Sequence, residues 1–305
     1  MTNLKYISWC ILFIFLFTAC SSDDDTGVNQ PQNKIRVSTI KEIFEDGSSA
    51  NYDITYNDDG NITSIKRTAN SGSNIASILY NDQGQFTQKG GVIYNYNEDG
   101  LLSEIIGSNY TSEITYNAQG QLFEEETSVD DQYTLKRTFS YNSNGQLTTV
   151  DEYFVYTTPS GAAPYRKHLI SYDNNGNGIK AVGTTSVDGT TYTDRYTSTF
   201  SYDDKKNPLL IMHESSGGKA GLSYSMDILN FYTGSLLGDT PIHRYYGKNN
   251  MLSRTTIINN EEYKQTFQHN SYNEDEYPLS TTLTVFGTNG QISGEVVYEW
   301  GYEKK

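Results

Sequence analysis

Cysteine, tryptophan, histidine and methionine are all scarce, with two, two, four and four copies among 305 residues. Both cysteines, Cys10 and Cys20, sit near the start. The body of the chain therefore holds no thiol, cannot form a disulfide, and must be stabilised by burial and backbone pairing. The four histidines, His168, His213, His243 and His269, lack the short spacing of paired zinc ligands, and without cysteine a zinc site has no support. Base is in deficit as well: 22 Lys+Arg face 37 Asp+Glu, a net charge of −15 at pH 7. Such a surface repels phosphate backbones and anionic headgroups, so nucleic acid is excluded as a partner. Apart from Ile7 to Ala19 there is no long apolar run, and that one falls short of the ~20 residues a spanning helix needs.

Enzyme signatures are missing too. No Gly-x-Ser-x-Gly elbow occurs to expose a serine nucleophile. Gly217-Gly-Lys219-Ala220 lacks both the upstream glycine and the hydroxyl of a phosphate loop. Gly176-x-Gly178-x-x-Ala181 fits a dinucleotide fingerprint only superficially, because it falls inside a hairpin pattern. The acidic runs Glu124-Glu125-Glu126, Asp130-Asp131 and Asp151-Glu152 place neighbouring carboxylates on opposite faces of a strand, and read as solvated surface rather than as an acid/base pair. Asp173-Asn-Asn-Gly176-Asn177 has the oxygen-rich turn of a calcium loop without its terminal glutamate. The expectation is a protein with no enzymatic activity, cofactor or metal.

The N-terminus supplies an address. Lys5 precedes the apolar stretch, which ends in Phe17-Thr18-Ala19-Cys20, the layout of a cleaved secretory signal. A cysteine after Thr-Ala resembles the lipobox of bacterial lipoproteins, which implies that Cys20 is lipidated, becomes the new N-terminus and holds the protein to a membrane. Ser21, Ser22, Asp23, Asp24 and Asp25 follow, resembling the acidic export signal of Bacteroidetes surface lipoproteins, and imply a surface-exposed place on the outer membrane. The chain thus divides into a signal peptide (1–19), a lipidated acidic tether (20–33) and a body (34–305).

That body is organised by tyrosine, of which the sequence has 26. Tyr56-Asn-Asp-Asp-Gly60-Asn-Ile62 recurs as Tyr80-Asn-Asp-Gln-Gly84-Gln-Phe86, Tyr96-Asn-Glu-Asp-Gly100-Leu-Leu102, Tyr116-Asn-Ala-Gln-Gly120-Gln-Leu122 and Tyr141-Asn-Ser-Asn-Gly145-Gln-Leu147. Asparagine opens a type I turn, and glycine three residues later supplies the left-handed conformation that closes a bulged hairpin. Tyrosine then faces an aliphatic residue across the strands, a pair worth ~0.2–1 kcal/mol. Degenerate copies start at Tyr172, Tyr202, Tyr246, Tyr272 and Phe286, with Gly178 preceding a delayed Ile179 in the first of these and Lys206 in place of glycine in the second.

The pattern resembles the YD repeats of RHS-type proteins, and more closely the repeats of Bacteroidetes lipoproteins that carry a Tyr-Asp-x-Lys-x-Asn-Pro segment like Tyr202-Asp-Asp-Lys-Lys-Asn-Pro208. The resemblance implies a fold and an address and carries no activity. The expected fold is mainly β, an antiparallel meander of successive hairpins. An insertion at 210–245 is expected to hold one short helix in the 219–234 region, where Leu222, Met226 and Leu229 fall at helical spacing, laid over the open apolar face. Two functions compete: an interaction or structural module contacting other envelope proteins, and a glycan-binding lipoprotein using irregular aromatics, for which Tyr245, Tyr246 and Trp300 are the candidates.

Overall fold

The computed structural model describes residues 34–130, 132–156, 165–214 and 247–305. Cys20 to Asp25, the 219–234 region, Tyr245 and Tyr246 lie outside the described residues. Within them the chain is almost entirely strand. The first nine are β1 (Ile35–Phe44), β2 (Ser49–Tyr56), β3 (Ile62–Ala69), β4 (Gly72–Tyr80), β5 (Phe86–Lys89), β6 (Val92–Tyr96), β7 (Leu102–Ile106), β8 (Tyr110–Tyr116) and β9 (Leu122–Val129). Five more follow: β10 (Tyr133–Tyr141), β11 (Leu147–Tyr156), β12 (Tyr165–Tyr172), β13 (Gly178–Ser186) and β14 (Thr193–Lys206). A short helix, α1 (Pro208–Glu214), precedes β15 (Asn249–Ile258), β16 (Glu261–Tyr272), β17 (Pro278–Phe286) and β18 (Ile292–Lys304).

All 18 strands belong to one antiparallel sheet in which sequence neighbours pair. β1 pairs with β2 on one side and β18 on the other, so that Ile40 stands opposite both Tyr52 and Trp300. Every strand is paired on both sides, and the meander closes into a barrel. This corrects the expectation of an open sheet closed over by a helix. Closure removes the two unpaired edges that an open meander would present, and the twist of so many strands brings the first beside the last.

The turns form as their residues dictate. In the first, the Gly60 N–H donates to the Asn57 carbonyl at 3.1 Å and the Asn57 N–H to the Asn61 carbonyl at 2.9 Å. Gly60 sits at φ +88°, a conformation that a Cβ disfavours. Tyr56, Tyr80, Tyr96, Tyr116 and Tyr141 face Ile62, Phe86, Leu102, Leu122 and Leu147 across their hairpins, as the pattern predicts. In the degenerate copies, Tyr172 faces Gly178 and Tyr272 faces Pro278. Ile179 and Leu279 are exposed instead.

Each of these hairpins also carries a register shift beside its tyrosine, where the following strand has one residue more than its partner. The inward residues of that strand are therefore three apart before alternation resumes. Ile62 and Ile65, Leu102 and Ile105, and Leu147 and Val150 are all buried. Strict alternation from the turn would place the second member of each pair on the wrong face.

The face carrying the tyrosines lines the inside. On β2, Tyr52 and Ile54 are buried while Asn51, Asp53 and Thr55 are exposed. Ion pairs decorate the outer face at mid-strand: Lys136 lies 2.9 Å from Glu124 and 3.8 Å from Glu126, and Lys167 lies 3.3 Å from Asp151. Inside, one apolar cluster includes Val37, Ile40, Ile65, Ile105, Phe267 and Trp300, and a second comprises Phe139, Leu147, Val150, Ile170, Ala181 and Tyr196.

The Tyr202 copy departs from the others because it leads into α1. Asn207 caps the helix, its Oδ1 accepting the Leu209 N–H at 3.0 Å, and Pro208 takes the first helical position, where its missing N–H costs nothing. Leu209 and Met212 then pack into the larger cluster. Asp203 replaces the turn asparagine and accepts hydrogen bonds from the Lys205 N–H (2.9 Å), the Asn250 N–H (3.1 Å) and the Tyr272 hydroxyl (2.8 Å).

Candidate functional site: a tyrosine ring and a charged layer inside the barrel

Antiparallel order makes the even-numbered strands end at one rim, and each carries a tyrosine near that end. The hydroxyls link neighbouring hairpins. Tyr80 donates to the Ile62 carbonyl at 2.8 Å, Tyr96 to Phe86 at 2.7 Å, Tyr116 to Leu102 at 2.8 Å and Tyr141 to Leu122 at 2.9 Å. Tyr172 continues to Leu147 and Tyr202 to Gly178, both at 2.8 Å. Tyr302 donates to Pro278 at 2.7 Å and Tyr56 to Val37 at 2.6 Å. Tyr272 turns instead to a side chain, Asp203.

Each backbone acceptor is a carbonyl beside a register shift, a group that the shifted ladder leaves available. The result is a ring around the rim that ties each hairpin to the one before it. Burial pushes the phenols of Tyr96, Tyr116 and Tyr141 up to about 12 and raises those of Tyr56, Tyr80, Tyr172 and Tyr202 further. Tyr302, which the repeat reading passed over because no turn follows it, is a full member of the ring.

Further from the rim the inward face is charged. Glu125, Arg137, Glu152 and Arg166 are direct cross-strand neighbours on β9, β10, β11 and β12. Arg137 donates through Nε to Glu152 at 2.9 Å and through Nη1 to Glu125 at 3.2 Å, and Arg166 Nη1 lies 3.9 Å from Glu152. His168 Nε2 is 3.2 Å from the second Glu152 oxygen, and its Nδ1 is 3.0 Å from the Tyr196 hydroxyl. Burial alone would raise the Glu152 carboxyl, but the His168 hydrogen bond and the Arg137 charge outweigh it and hold the group at about 2. The ring of Tyr196 lies over Gly183, its cross-strand neighbour, where a Cβ would collide with it. A second inward group joins Tyr52, Glu42 and Arg67: the Tyr52 hydroxyl donates to Glu42 at 2.8 Å and accepts from Arg67 Nε at 3.0 Å.

This layer corrects the reading of the acidic runs as solvated surface. Glu124 and Glu126 face outward as expected, whereas Glu125 between them and Glu152 beside Asp151 point inward and are buried. They tolerate burial because Arg137 stands between them. His168, on β12, is buried completely. Trp300, expected as an exposed platform, is 4% exposed and belongs to the larger apolar cluster. Arg137, His168 and Trp300 share one signal, their phase relative to the tyrosine near the end of their strand. Counting back by twos from Tyr141 reaches Phe139 and Arg137, and from Tyr172 it reaches Ile170 and His168, so a charged residue in phase with the repeat tyrosine is an inward charge.

The family model of the teneurin YD-shell matches residues 36–125, which span the first four repeats. Comparison with curated proteins finds no match. Among solved structures, a porin-like protein from Bacteroides uniformis is 17% identical, with 90% of this chain and 98% of that chain covered and a TM-score of 0.44. A porin-like protein from Bacteroides vulgatus is 10% identical over 88% of this chain and 99% of that one, with a TM-score of 0.46. A TcdB2–TccC3 crystal structure is 11% identical over 80% of this chain and 14% of its own, with a TM-score of 0.28.

Proposed function

We propose that this is a lipid-anchored, non-enzymatic protein of the cell envelope whose barrel is a rigid structural or interaction module, held through Cys20 and displayed at the outer surface. The observation that carries the reading is the polarity of the wall. Its outer face bears Asn51, Asp53 and the Lys136–Glu124 pair among scattered apolar side chains such as Ile75, Leu79 and Phe123, while the repeat tyrosines and the aliphatic residues opposite them point inward. A barrel that spans a bilayer needs the opposite arrangement, an outward apolar band. A polar barrel at a membrane needs a tether, which Cys20 supplies: acyl chains provide the affinity that the wall lacks. Inside, Arg137 is engaged by Glu125 and Glu152 and the ring hydroxyls by backbone carbonyls, which suits a shape-holding body better than a reaction centre. The wall offers a broad, acidic, hydroxyl-rich surface to other envelope proteins.

The test is fractionation of cells expressing Cys20→Ser. The variant is expected to leave the membrane fraction and to keep the secondary structure of the parent. Retention of a processed Cys20→Ser chain in the membrane would overturn the anchor. Replacing Asp23, Asp24 and Asp25 by alanine is expected to leave the anchor and abolish access of external protease.

A further inference from the structure

Arg254 breaks the rule that inward charges are paired. It lies on β15 in phase with Met251, between Phe200 on β14 and Gln265 on β16. It is 4% exposed, and its Nη2 is buried without a hydrogen-bond partner among the described residues. Arg137, by comparison, has a glutamate on each side. Burial pulls the Arg254 guanidinium down to about 10, and the opposing influence comes from Tyr196 rather than from any carboxylate of the described residues. The side chain is therefore a cation at neutral pH, out of water and uncompensated by them, which is costly unless an anion joins it.

The surroundings are rich in donors. Gln265, the direct cross-strand neighbour, is buried. The hydroxyls of Ser198 and Thr256, also buried, form the next inward pair along the two strands, 2.8 Å apart. The guanidinium is a planar fork whose two parallel N–H groups match a carboxylate, and an adjacent primary amide adds a further donor. We propose that Arg254, with Gln265 beside it, binds the carboxylate of a small organic anion on the inner wall formed by β14, β15 and β16. This site is independent of the anchor and goes beyond a purely structural role for the barrel.

Calorimetric titration of the purified full chain with acetate, with glucuronate and with inorganic phosphate, each against chloride at matched ionic strength, tests the assignment. Saturable one-site binding of acetate or glucuronate is expected, with a melting temperature that rises with carboxylate concentration. Arg254→Met is expected to weaken that binding at least about tenfold, and to melt no lower than the parent in chloride alone, because it removes an unpaired buried charge. No saturable binding of either carboxylate, unchanged affinity in Arg254→Met, or a response to phosphate alone would overturn the proposal. If Arg254→Met does not fold, Arg254→Lys keeps the charge and loses the fork. It is expected to bind the carboxylate at least about tenfold more weakly, and unchanged affinity would refute the site.

Discussion

The hydroxyl of Tyr56 on β2 donates to the carbonyl oxygen of Val37 on β1, 2.6 Å away. The same contact links Tyr116 to Leu102 between two repeats in mid-chain. In the first case the acceptor strand follows no repeat turn. It is the strand that also pairs with β18 and closes the barrel, so the repeat's own contact is reused at the seam.

Removing the hydroxyl at either place leaves a part-buried carbonyl without its donor. Tyr116→Phe is expected to lower stability by about 1 kcal/mol. Tyr56→Phe is expected to cost a similar amount, at the seam that closes the barrel. Urea unfolding measures both, and midpoints equal to the parent's would show that the ring contributes nothing.

Alkali is expected to unfold the barrel cooperatively. The ring phenols are raised by burial in the folded state, to about 12 for Tyr96, Tyr116 and Tyr141, whereas an unfolded tyrosine titrates near 10. A raised folded value means that stability is fully present below about pH 10 and is lost as the pH climbs toward 12. Phenolate absorbance and circular dichroism followed together should change in one step. Phenolate appearing well below the loss of structure would show that the hydroxyls are open to water.

Acid tests the charged layer with the opposite sign. Glu152 is held at about 2 in the fold, from an ordinary value of 4.5. Its contribution is complete above about 4.5 and is lost as the pH falls toward 2. Glu152→Gln should destabilise by on the order of 3 kcal/mol at neutral pH, because it leaves Arg137 and His168 facing a neutral group. The gap between variant and parent should close as the pH falls through that window. A gap independent of pH would mean that the carboxylate charge is not what Arg137 holds.

Gly120 is needed for its backbone and not for space. Gly120 has φ +72° and nothing within 4 Å of a built Cβ, so Gly120→Val should cost about 1–3 kcal/mol from conformational strain alone. Ser128→Val, on the outward face of β9, should cost far less. Thermal denaturation that ranks the two equally would remove glycine's role in the turn.

Gly183 is the contrasting case. Gly183→Ala should displace the Tyr196 ring and with it the His168 contact, at a cost of about 1–3 kcal/mol. An unchanged near-ultraviolet dichroism signal would argue against that packing.

Local chemistry made the hairpins legible in the sequence. Asn57 and Gly60 specify their turn within five residues, and Tyr56 finds Ile62 because the turn length fixes the register. The same local rule foresaw the pairs up to Tyr141–Leu147. In the degenerate copies at Tyr172 and Tyr272 the same turn geometry places Gly178 and Pro278 across the hairpin. What the sequence could not show is every relationship made across the barrel or around it. The pairing of Ile35 with Lys304 joins opposite ends of the chain, and no pattern in either segment encodes the other. The inward turn of Glu125 and Glu152 depends on a register shift that resets the alternation after each turn, and their burial depends on Arg137 arriving from another strand. Trp300 looked like a free aromatic because its neighbours, Ile40 on β1 among them, become neighbours only when the sheet closes. Closure turns one face of a two-sided sheet into an interior, and so decides which charges must find partners.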